Sequence, residues 1–534
     1  MRELNDIKEE QNTDVNEEKS SGLDSIIIGR IRNTDRRLVV VLIFVFLSGI
    51  IANGEALFNK YSFHDDVNAM FDVGATFTSG RWMLGVLQAV WQTVSGGCNY
   101  SLPLFSGAVS LLLLAACVYL IIVILGIKSR TACALTACLA AAYPSLTSLF
   151  GYMFTAPYYM ISFLFSVIAA YFICKRKTLA DFIFGVVFIA LSMGTYQAFI
   201  GITLSLLMLD FFFFLNGESE EKVPAKIIRY FSAPVLGILL YFIINKTFLA
   251  AYDISMSDYL GLDKMGKEGA GVYFSRIWDV FANYLSVGGS MVSKLFALNL
   301  EYLYKCVLLV SAVTAVYYIA VRSKKDIKNG VLMLAVLAFL PFAVDCIFVA
   351  SAPANVHSLM LFPQIMPFIF LARLLDGLDL KNRRITGAVS VCISALMMCT
   401  AVFFCRYDNI IWLKAELIKQ RLNSYYTRLV TDIKSVEGYS DNLSVSFINP
   451  YQISDMTVRD IDELEFLRAV PYDSSIGASV NNYAFIKYID YFCAFTPNYI
   501  DEEHFCDMDE VIEMPSYPDD GSIKIINGTV VVKF

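Results

Sequence analysis

The sequence has few charged side chains for a chain of 534 residues. Asp, Glu, Lys and Arg make up 17% of it and apolar residues 57%, whereas soluble proteins carry about 25% charged and about 45–50% apolar residues. This composition excludes a single soluble domain and a disordered chain. The formal charge of −7 also speaks against nucleic acid as a partner, because a phosphate backbone binds clustered Lys and Arg. We therefore expect an integral membrane protein that contacts membrane lipids.

The sequence also lacks the cysteine patterns of metal sites. Its 12 cysteines include no Cys-x-x-Cys pair and no Cys/His cluster with the spacing of zinc ligands. Most of them lie inside apolar runs, where a thiol behaves as a small hydrophobic group. Cys493 and Cys506 lie in a polar stretch near the carboxyl terminus, and the sequence leaves open whether they pair.

Long apolar runs and short polar breaks alternate along most of the chain. Residues 1–37 are polar, so we expect a cytoplasmic tail rather than a signal peptide. The remaining pattern predicts about eleven transmembrane helices, since about 20 apolar residues cross a bilayer. The two shortest are separated only by Gly194 and require a tight hairpin. The predicted spans are 38–58, 103–125, 131–150, 154–174, 179–193, 195–215, 230–251, 302–321, 331–350, 358–375 and 385–405.

Basic residues predict the orientation of these spans. The flanks on one side of the predicted membrane hold 20 Lys and Arg residues, and the loops on the other side hold six. Cytoplasmic loops carry the excess of Lys and Arg. The amino terminus is therefore predicted to be cytoplasmic, and an odd number of spans puts the carboxyl terminus outside.

Three exterior pieces are too long to be simple connections, namely 59–102, 252–301 and 406–534. The last holds 11 basic and 21 acidic residues, a net charge of −10. Apolar residues at helical spacing predict a helix over 408–436, and 443–448 and 523–534 have the pattern of strands, with a hairpin turn at Asn527-Gly528. We expect an all-α transmembrane domain over 38–405 followed by a small exterior α/β domain.

The first exterior piece contains the most informative polar residues. Asp65 and Asp66 lie just outside the first span, about seven residues past its apolar end, and Arg81 comes 15 residues after Asp66 in a Gly-Arg-Trp segment. The spacing predicts one helix over 66–90 that lies flat on the membrane surface and carries both the carboxylates and the guanidinium. The alternative is that Asp65-Asp66 only begins a helix and that Arg81 is a snorkelling surface residue.

These motifs resemble a known family. A span, a short loop with Asp65-Asp66 and a surface helix with Gly80-Arg81-Trp82 look like the bacterial integral-membrane glucosyltransferases that decorate O-antigen, typified by the phage serotype-converting enzymes. The segment Ser192-Met193-Gly194-Thr195-Tyr196-Gln197-Ala198 is similar to the Gly-x-Tyr-Gln segment of that family. Tyr143-Pro144-Ser145 and 154–159 are weaker matches. The resemblance covers roughly residues 38–375 and implies a GT-C-like fold.

The resemblance implies a glycosyltransferase that uses a polyprenyl-phosphate sugar, here glucose, and acts on an exterior cell-surface glycan. In that class an acidic residue or pair in the first exterior loop is needed for catalysis, so Asp65 and Asp66 become the catalytic carboxylates. The chemistry agrees, because the acceptor hydroxyl needs a base within hydrogen-bond reach. The departing lipid phosphate needs positive charge, and Arg81 can grip it with two hydrogen bonds.

Other polar residues are candidates for binding the substrates. Tyr196 and Gln197 are predicted at an exterior turn and Tyr158 at an exterior helix start, although a helix end and an aromatic belt explain them equally well. A carboxylate at the depth of Asp345 usually faces a cavity or a partner, and Lys246 is a conceivable structural partner. His357 is a candidate base or ligand. A divalent metal ion on Asp65 and Asp66 stays possible, but no third ligand is visible and no cofactor is assigned.

Three alternatives remain at this stage. A transporter or flippase of lipid-linked saccharides is the main one, although the sequence shows few deep charges and no internal symmetry. A polysaccharide polymerase or ligase usually has a late exterior loop rich in Arg and His, whereas 252–301 has one Arg and no His. A membrane anchor that presents 406–534 does not need eleven spans.

Overall fold

The computed structural model describes most of the chain outside the polar amino-terminal tail. The helices of the bundle fill residues up to 434, and a small sheet follows near the carboxyl terminus. Most of the predicted tail 1–37 and part of the predicted piece 252–301 lie outside the described residues. The described residues are 34–62, 65–72, 74, 76–217, 221–257, 269–286, 300–350, 356–380, 382–450 and 482–534.

Each of the eleven predicted spans coincides with a helix or with two consecutive helices. Within the described ranges, nine helices are long and apolar enough to cross a membrane, and α5 with α6, bent by 44°, forms a tenth. The helix α8 is apolar but shorter. The helices up to residue 376 are α1 (Arg36–Phe58), α2 (Asp65–Asn68), α3 (Trp82–Ser95), α4 (Pro103–Leu125), α5 (Arg130–Ala141), α6 (Pro144–Phe150), α7 (Ala156–Lys175), α8 (Leu179–Thr195), α9 (Ile200–Asn216), α10 (Val223–Ala251), α11 (Ala270–Ser286), α12 (Leu300–Ser323), α13 (Ile327–Val344), α14 (Ile347–Ala350) and α15 (Met366–Asp376).

Short polar breaks begin and end these helices. Ser129 caps α5 by accepting a hydrogen bond from the Ala132 amide. Thr178 and Asp181 form a reciprocal capping box at the start of α8, which satisfies backbone amides that the helix leaves unpaired. The predicted hairpin between 179–193 and 195–215 is confirmed, because α8 ends at Thr195 and α9 begins at Ile200.

One end of the bundle carries the basic clusters and is called the basic end below. There the carboxylate of Asp376 accepts hydrogen bonds from the backbone amides of Lys128 and Ser129 at 2.9 and 2.6 Å. Arg37 donates to the carbonyl oxygen of Ile127 at 2.9 Å, and Arg373 to that of Leu125 at 2.7 Å. These bonds tie the ends of α1, α4 and α15 together.

The predicted single helix over 66–90 is wrong. The helix α2 ends at Asn68, a short 3-10 turn covers Phe77–Ser79, and α3 begins only at Trp82. Gly74 and Gly80 have φ angles of +67° and +69°, a left-handed conformation that ends a right-handed helix. Arg81 therefore lies in the turn before α3 and shares no helix with the aspartates.

After the bundle, the helix α16 (Arg383–Lys434) runs unbroken for 52 residues. The sequence predicted a span ending at 405 and a second helix from 408, but no break separates them. One face of this helix stays buried along its length, through side chains such as Trp412 and Tyr426, which explains its continuity.

The carboxyl-terminal elements form a three-stranded sheet with α17 beside it. The strand order is β1-β3-β2, parallel between β1 and β3 and antiparallel between β2 and β3. The predicted hairpin at Asn527-Gly528 is confirmed, with positive φ at both residues. Cys493 and Cys506 are free thiols and are not paired with each other. The elements are β1 (Ser444–Ile448), α17 (Asn482–Cys493), α18 (Asp509–Ile512), β2 (Ile523–Ile526) and β3 (Thr529–Lys533).

Candidate active site

A cavity of about 410 Å³ opens between the helix ends that lie away from the basic end. The chain from α1 to α3, the junction of α6 and α7, the turn between α8 and α9, and the segment before α15 all contribute to its wall. Four of the predicted site residues line it, namely Asp65, Arg81, Tyr196 and His357. The other four, Asp66, Tyr158, Gln197 and Asp345, do not line it.

Asp65 lies on the cavity wall at the start of α2, and its side chain is only half-buried. The helix is one turn long, so its first residues still carry amides without helical partners. An acidic side chain at this position interacts favourably with those amides. The carboxylate therefore lies beside amide donors while it faces the cavity.

Asp66 differs from its neighbour because its side chain is completely buried. One carboxylate oxygen accepts hydrogen bonds from Lys60 Nζ at 2.7 Å and Ser62 Oγ at 2.8 Å. The other accepts from Ser101 Oγ at 2.5 Å and from the backbone amide of Phe154 at 3.1 Å. Asp66 thus joins three parts of the chain behind the cavity, namely the segment after α1, the segment before α4 and the junction before α7. The sequence predicted both carboxylates at the exterior mouth of the bundle, and only Asp65 lines the cavity.

Arg81 is held against two stacked aromatic rings. Its Nη1 donates a hydrogen bond of 3.1 Å to the hydroxyl of Tyr159. Its guanidinium carbon lies 5.2 Å from the ring centre of Tyr196 and 5.8 Å from that of Tyr159, and the two rings stack 4.2 Å apart. The cation–π contacts and the hydrogen bond fix the direction of the guanidinium toward the cavity.

Gln197 supports the turn that carries Arg81. Its Nε2 donates to the carbonyl oxygen of Ser79 at 2.8 Å and to the hydroxyl of Tyr241 at 3.1 Å. The Tyr241 hydroxyl in turn donates to the carbonyl oxygen of Gly80 at 3.1 Å. Gln197 was predicted to bind substrate, but its amide nitrogen is already used to hold the backbone immediately before Arg81.

The two sequence motifs meet at Gly194 and Trp82. A Cβ atom on Gly194 would lie 2.4 Å from the indole ring of Trp82, so only glycine allows the ring to pack directly on the backbone of α8. This contact brings α3 beside α8 and puts Arg81 next to Tyr196. The two segments that resemble the family, Gly-Arg-Trp and Gly-x-Tyr-Gln, are therefore in contact with each other in the fold.

Tyr158 faces away from the cavity, whereas its neighbour Tyr159 faces into it. The Tyr158 hydroxyl donates to Asn99 Oδ1 at 3.1 Å, and Asn99 Nδ2 donates to the carbonyl oxygen of Asp72 at 3.1 Å. Tyr158 thereby steadies the loop that follows α2. The sequence located this tyrosine pair at the right end of α7 but did not identify which ring enters the site.

His357 lies on the cavity wall opposite the loop of Asp65. Its Nε2 is buried and, in the part of the chain that the structure describes, has no hydrogen-bond partner. Burial lowers the pKa of His357, and the negative charge of Asp65 opposes this effect. Since the net shift is downward, the imidazole is neutral near pH 7 and can donate to or accept from a bound hydroxyl.

Asp345 is fully buried outside the cavity, at the end of α13. Gln364 Nε2 donates to its Oδ1 at 2.9 Å. The suggested ion pair with Lys246 is not formed, since the lysine side chain is exposed. Asp345 therefore joins α13 to the 3-10 segment Ser358–Ile365 that precedes α15.

Two polar residues that contact Asp66 behind the cavity wall were missed by the sequence reading. Lys60 entered only the count of loop charges, yet its ammonium group bonds both Asp66 and Ser101 Oγ, the latter at 2.6 Å. The signal available was a lone basic residue six positions before a carboxylate. Ser101 gave no signal, because its neighbours in space are 35 residues away in sequence.

A metal site is not evident in this region. Among residues 34–534, apart from the stretches that are not described, no group of three or more His, Cys, Asp or Glu side chains is arranged to hold a metal ion. Asp65 and Asp66 also do not act as a pair of ligands, since only Asp65 lines the cavity.

Comparison with known proteins gives one match. A family model described as Glucosyl transferase GtrII matches residues 54–368, a range that contains every residue lining the cavity. No curated protein and no solved structure matches the chain. The matched range ends before α16, so the carboxyl-terminal sheet and α17 lie beyond it.

Proposed function

The chain belongs to the GtrII glucosyl transferase family, and we propose that it moves glucose from a polyprenyl-phosphate donor to an exterior cell-surface glycan such as O-antigen. Family membership and the apolar helices make it a membrane glucosyltransferase with a sugar donor and a glycan acceptor. The lipid-phosphate donor and the exterior acceptor are the proposal. The observation that carries it is that Asp65 and Arg81 line one cavity.

We propose that the protein lies in the bacterial cytoplasmic membrane with its amino terminus inside. The clustering of Lys and Arg at the basic end supports this orientation. The cavity then opens at the outer surface. In this arrangement 1–37 is a cytoplasmic tail, 38–405 is the transmembrane glycosyltransferase domain, and 406–534 is an exterior domain.

Asp65 is the proposed general base. Its carboxylate takes the proton from the acceptor hydroxyl while the acceptor oxygen forms a bond to the anomeric carbon of glucose. The bond between that carbon and the phosphate oxygen breaks, and the electron pair leaves with the polyprenyl phosphate. A base must lie within hydrogen-bond reach of the hydroxyl, and Asp65 is the aspartate of the pair that faces the cavity.

Arg81 is the proposed partner of the departing phosphate. Charge develops on the phosphate oxygens as the bond breaks, so a fixed cation beside them stabilises the transition state. The planar guanidinium offers two parallel hydrogen bonds to a phosphate. Its contacts with Tyr159 and Tyr196 support the role, because they orient the group before the donor binds.

Asp66 is proposed as a positioning residue. Its four hydrogen bonds hold α2, the chain before α4 and the junction before α7 in one arrangement. Tyr159, Tyr196 and the neutral His357 are proposed to contact the glucosyl unit, since they line the same cavity as Asp65 and Arg81.

Reconstituted transfer tests the proposal. The full chain is incorporated into proteoliposomes with radiolabelled polyprenyl-phosphate glucose, and incorporation into surface polysaccharide from the source cells is measured. We expect transfer from the lipid donor, none from a nucleotide-linked glucose, and loss of transfer in Asp65→Asn. Transfer from the nucleotide sugar alone would overturn the choice of donor. Full activity of Asp65→Asn would overturn the base.

A further inference from the structure

Three exposed aromatic side chains from distant parts of the chain meet beside the cavity. Phe71, Tyr100 and Tyr491 are 47%, 50% and 42% exposed. The ring centre of Phe71 lies 6.0 Å from that of Tyr100 and 5.3 Å from that of Tyr491, in both cases edge to face. We call these three residues the aromatic platform.

Hydrogen bonds to nearby backbone hold the platform in place. The amide of Ser101, next to Tyr100, donates to the carbonyl oxygen of Met70 at 3.0 Å. Lys487 Nζ in α17 donates to the carbonyl oxygen of Asn68 at 3.0 Å. Lys487 and Tyr491 are four residues apart and share one face of α17. The platform is therefore preorganised before any ligand binds.

The platform continues directly from the cavity. Asn68 and Ala69 line the cavity, and Phe71 follows them by two residues. Ser101, beside Tyr100, hydrogen-bonds the buried Asp66. The rings are therefore attached to the part of the chain that lines the cavity beside Asp65.

We propose that the aromatic platform is a subsite for the acceptor glycan, a deeper assignment that rests on the proposed function. The faces of aromatic rings carry negative charge density and attract the C–H groups on the apolar face of a pyranose ring. Exposed clusters of such rings are costly in water and mark binding surfaces. Because the platform lies beside the cavity of a glucosyltransferase, a carbohydrate is the ligand that fits it.

This subsite gives the carboxyl-terminal elements a role in the reaction. Tyr491 and Lys487 belong to α17, far beyond the range matched by the family model. The elements after α16 thus supply one wall of the acceptor path, and they select the glycan rather than the donor. The donor phosphate lies with Arg81 on the other side of the same cavity.

Direct binding and kinetics test the subsite. The probes are oligosaccharides released by mild acid from the surface polysaccharide of the source cells, and saturation-transfer NMR with the full purified chain reports their contact. Tyr491→Ala and Tyr100→Ala should each weaken the NMR signal and raise the KM for acceptor roughly tenfold, the effect of about 1.4 kcal/mol. The KM for the lipid donor should stay unchanged, and Tyr491→Phe should behave like the wild type.

Phe492→Ala is the matched control. Its ring is 38% exposed on the same helix but packs on Tyr488, 4.6 Å away, and not on the platform. Equal NMR signals in the wild type, Tyr491→Ala and Phe492→Ala would overturn the subsite. So would a change in donor dependence alone, which would identify the rings as a membrane-surface belt. The NMR readout needs no catalysis, so it stays informative even if polyprenyl-phosphate glucose is not the donor.

Discussion

Asp65 and Asp66 are adjacent in the chain, but only Asp65 faces the cavity, while Asp66 is buried behind it. The buried carboxylate accepts hydrogen bonds from Lys60, Ser62, Ser101 and the Phe154 amide. The short helix α2 produces this division, because neighbouring residues on a helix point about 100° apart. In the proposed mechanism, one acidic pair supplies both the general base and the residue that positions it.

Asparagine substitutions should separate these two roles. Asp65→Asn should lower the transfer rate by roughly 10²–10⁴-fold, the contribution of a general base, with an unchanged unfolding temperature. Asp66→Asn should lower the unfolding temperature, because an amide nitrogen cannot accept the bonds that a carboxylate oxygen accepts, and each buried group left without its partner costs about 1–3 kcal/mol. Transfer rate and thermal unfolding in detergent are measured for both.

A different pattern would contradict this division. If Asp66→Asn kept the wild-type unfolding temperature and lost all transfer, Asp66 would be a reactive group after all. Equal losses of stability in the two variants would remove the distinction between them.

Substitution of Arg81 should act through the donor. Arg81→Ala should reduce the transfer rate by roughly 10²–10³-fold, as for the loss of one transition-state donor. Arg81→Lys should retain part of it, because lysine keeps the charge but loses the planar pair of donors. The rate is measured against donor-lipid concentration, with the exposed Lys246→Ala as the control. An unchanged donor dependence in Arg81→Ala would support a snorkelling role instead.

The turn before Arg81 should not tolerate a side chain at Gly80. A Cβ there would lie 2.7 Å from the Tyr241 hydroxyl and 3.1 Å from Gln197 Nε2, at a φ of +69°. Gly80→Ala should therefore shift the turn and lower the transfer rate by roughly tenfold, about 1.4 kcal/mol in the barrier. Gly96→Ala is the control, since Gly96 has a φ of +70° but no atom within 4 Å of the added Cβ. If both variants lost transfer to the same extent, backbone strain alone, rather than the close contacts at Gly80, would explain the loss.

His357 should make the fold sensitive to acid. Burial lowers its pKa in the folded state, so its contribution to stability is complete above the unfolded value of 6.5. That contribution is lost as the pH falls through the folded value. The unfolding temperature of His357→Asn should therefore fall less than that of the wild type between pH 7.5 and pH 5. Identical acid sensitivity of the two proteins would rule this out.

Thiol labelling should reveal the orientation. Cys506 is exposed near the carboxyl terminus, and a membrane-impermeant maleimide should label it in right-side-out spheroplasts. A Lys324→Cys variant at the basic end should react only after permeabilisation. The other exposed cysteines are replaced by alanine for this measurement. Labelling of Cys506 only after permeabilisation would reverse the proposed topology.

The transmembrane helices could be predicted from sequence because hydropathy and caps act locally. Gly194 located the hairpin between α8 and α9 to within a few residues, although α8 continues through it to Thr195. The same reasoning failed over 66–90, where the apolar spacing favoured a helix. Gly74 and Gly80 have left-handed φ angles and lie close to Phe154 and Tyr241 respectively, which are far away in sequence.

The sequence predicted which segments carry the site residues but not which way each side chain points. Motif resemblance located Arg81 and Tyr196, which do face one cavity. It could not tell Asp65 from Asp66, or Tyr159 from Tyr158, because adjacent residues differ only in the angle at which a helix presents them. Gln197 was predicted to bind substrate. Its hydrogen-bond partner, the carbonyl oxygen of Ser79, lies 118 positions away in the sequence, so the motif could not reveal it.

The unbroken helix α16 fixes how the carboxyl-terminal sheet and α17 are rotated relative to the bundle. It packs on α1 through Asn409 and Trp412 and on α17 through Asn423, which accepts a bond from Tyr488. One residue inserted between Trp412 and Asn423 would turn everything beyond it by about 100° and move Tyr491 away from Phe71. Seven inserted residues would restore the angle to within about 20° but would move the elements beyond α16 by about 10 Å along the helix axis. Chimeras between relatives must therefore keep the helical register of α16, because otherwise Tyr491 no longer meets Phe71.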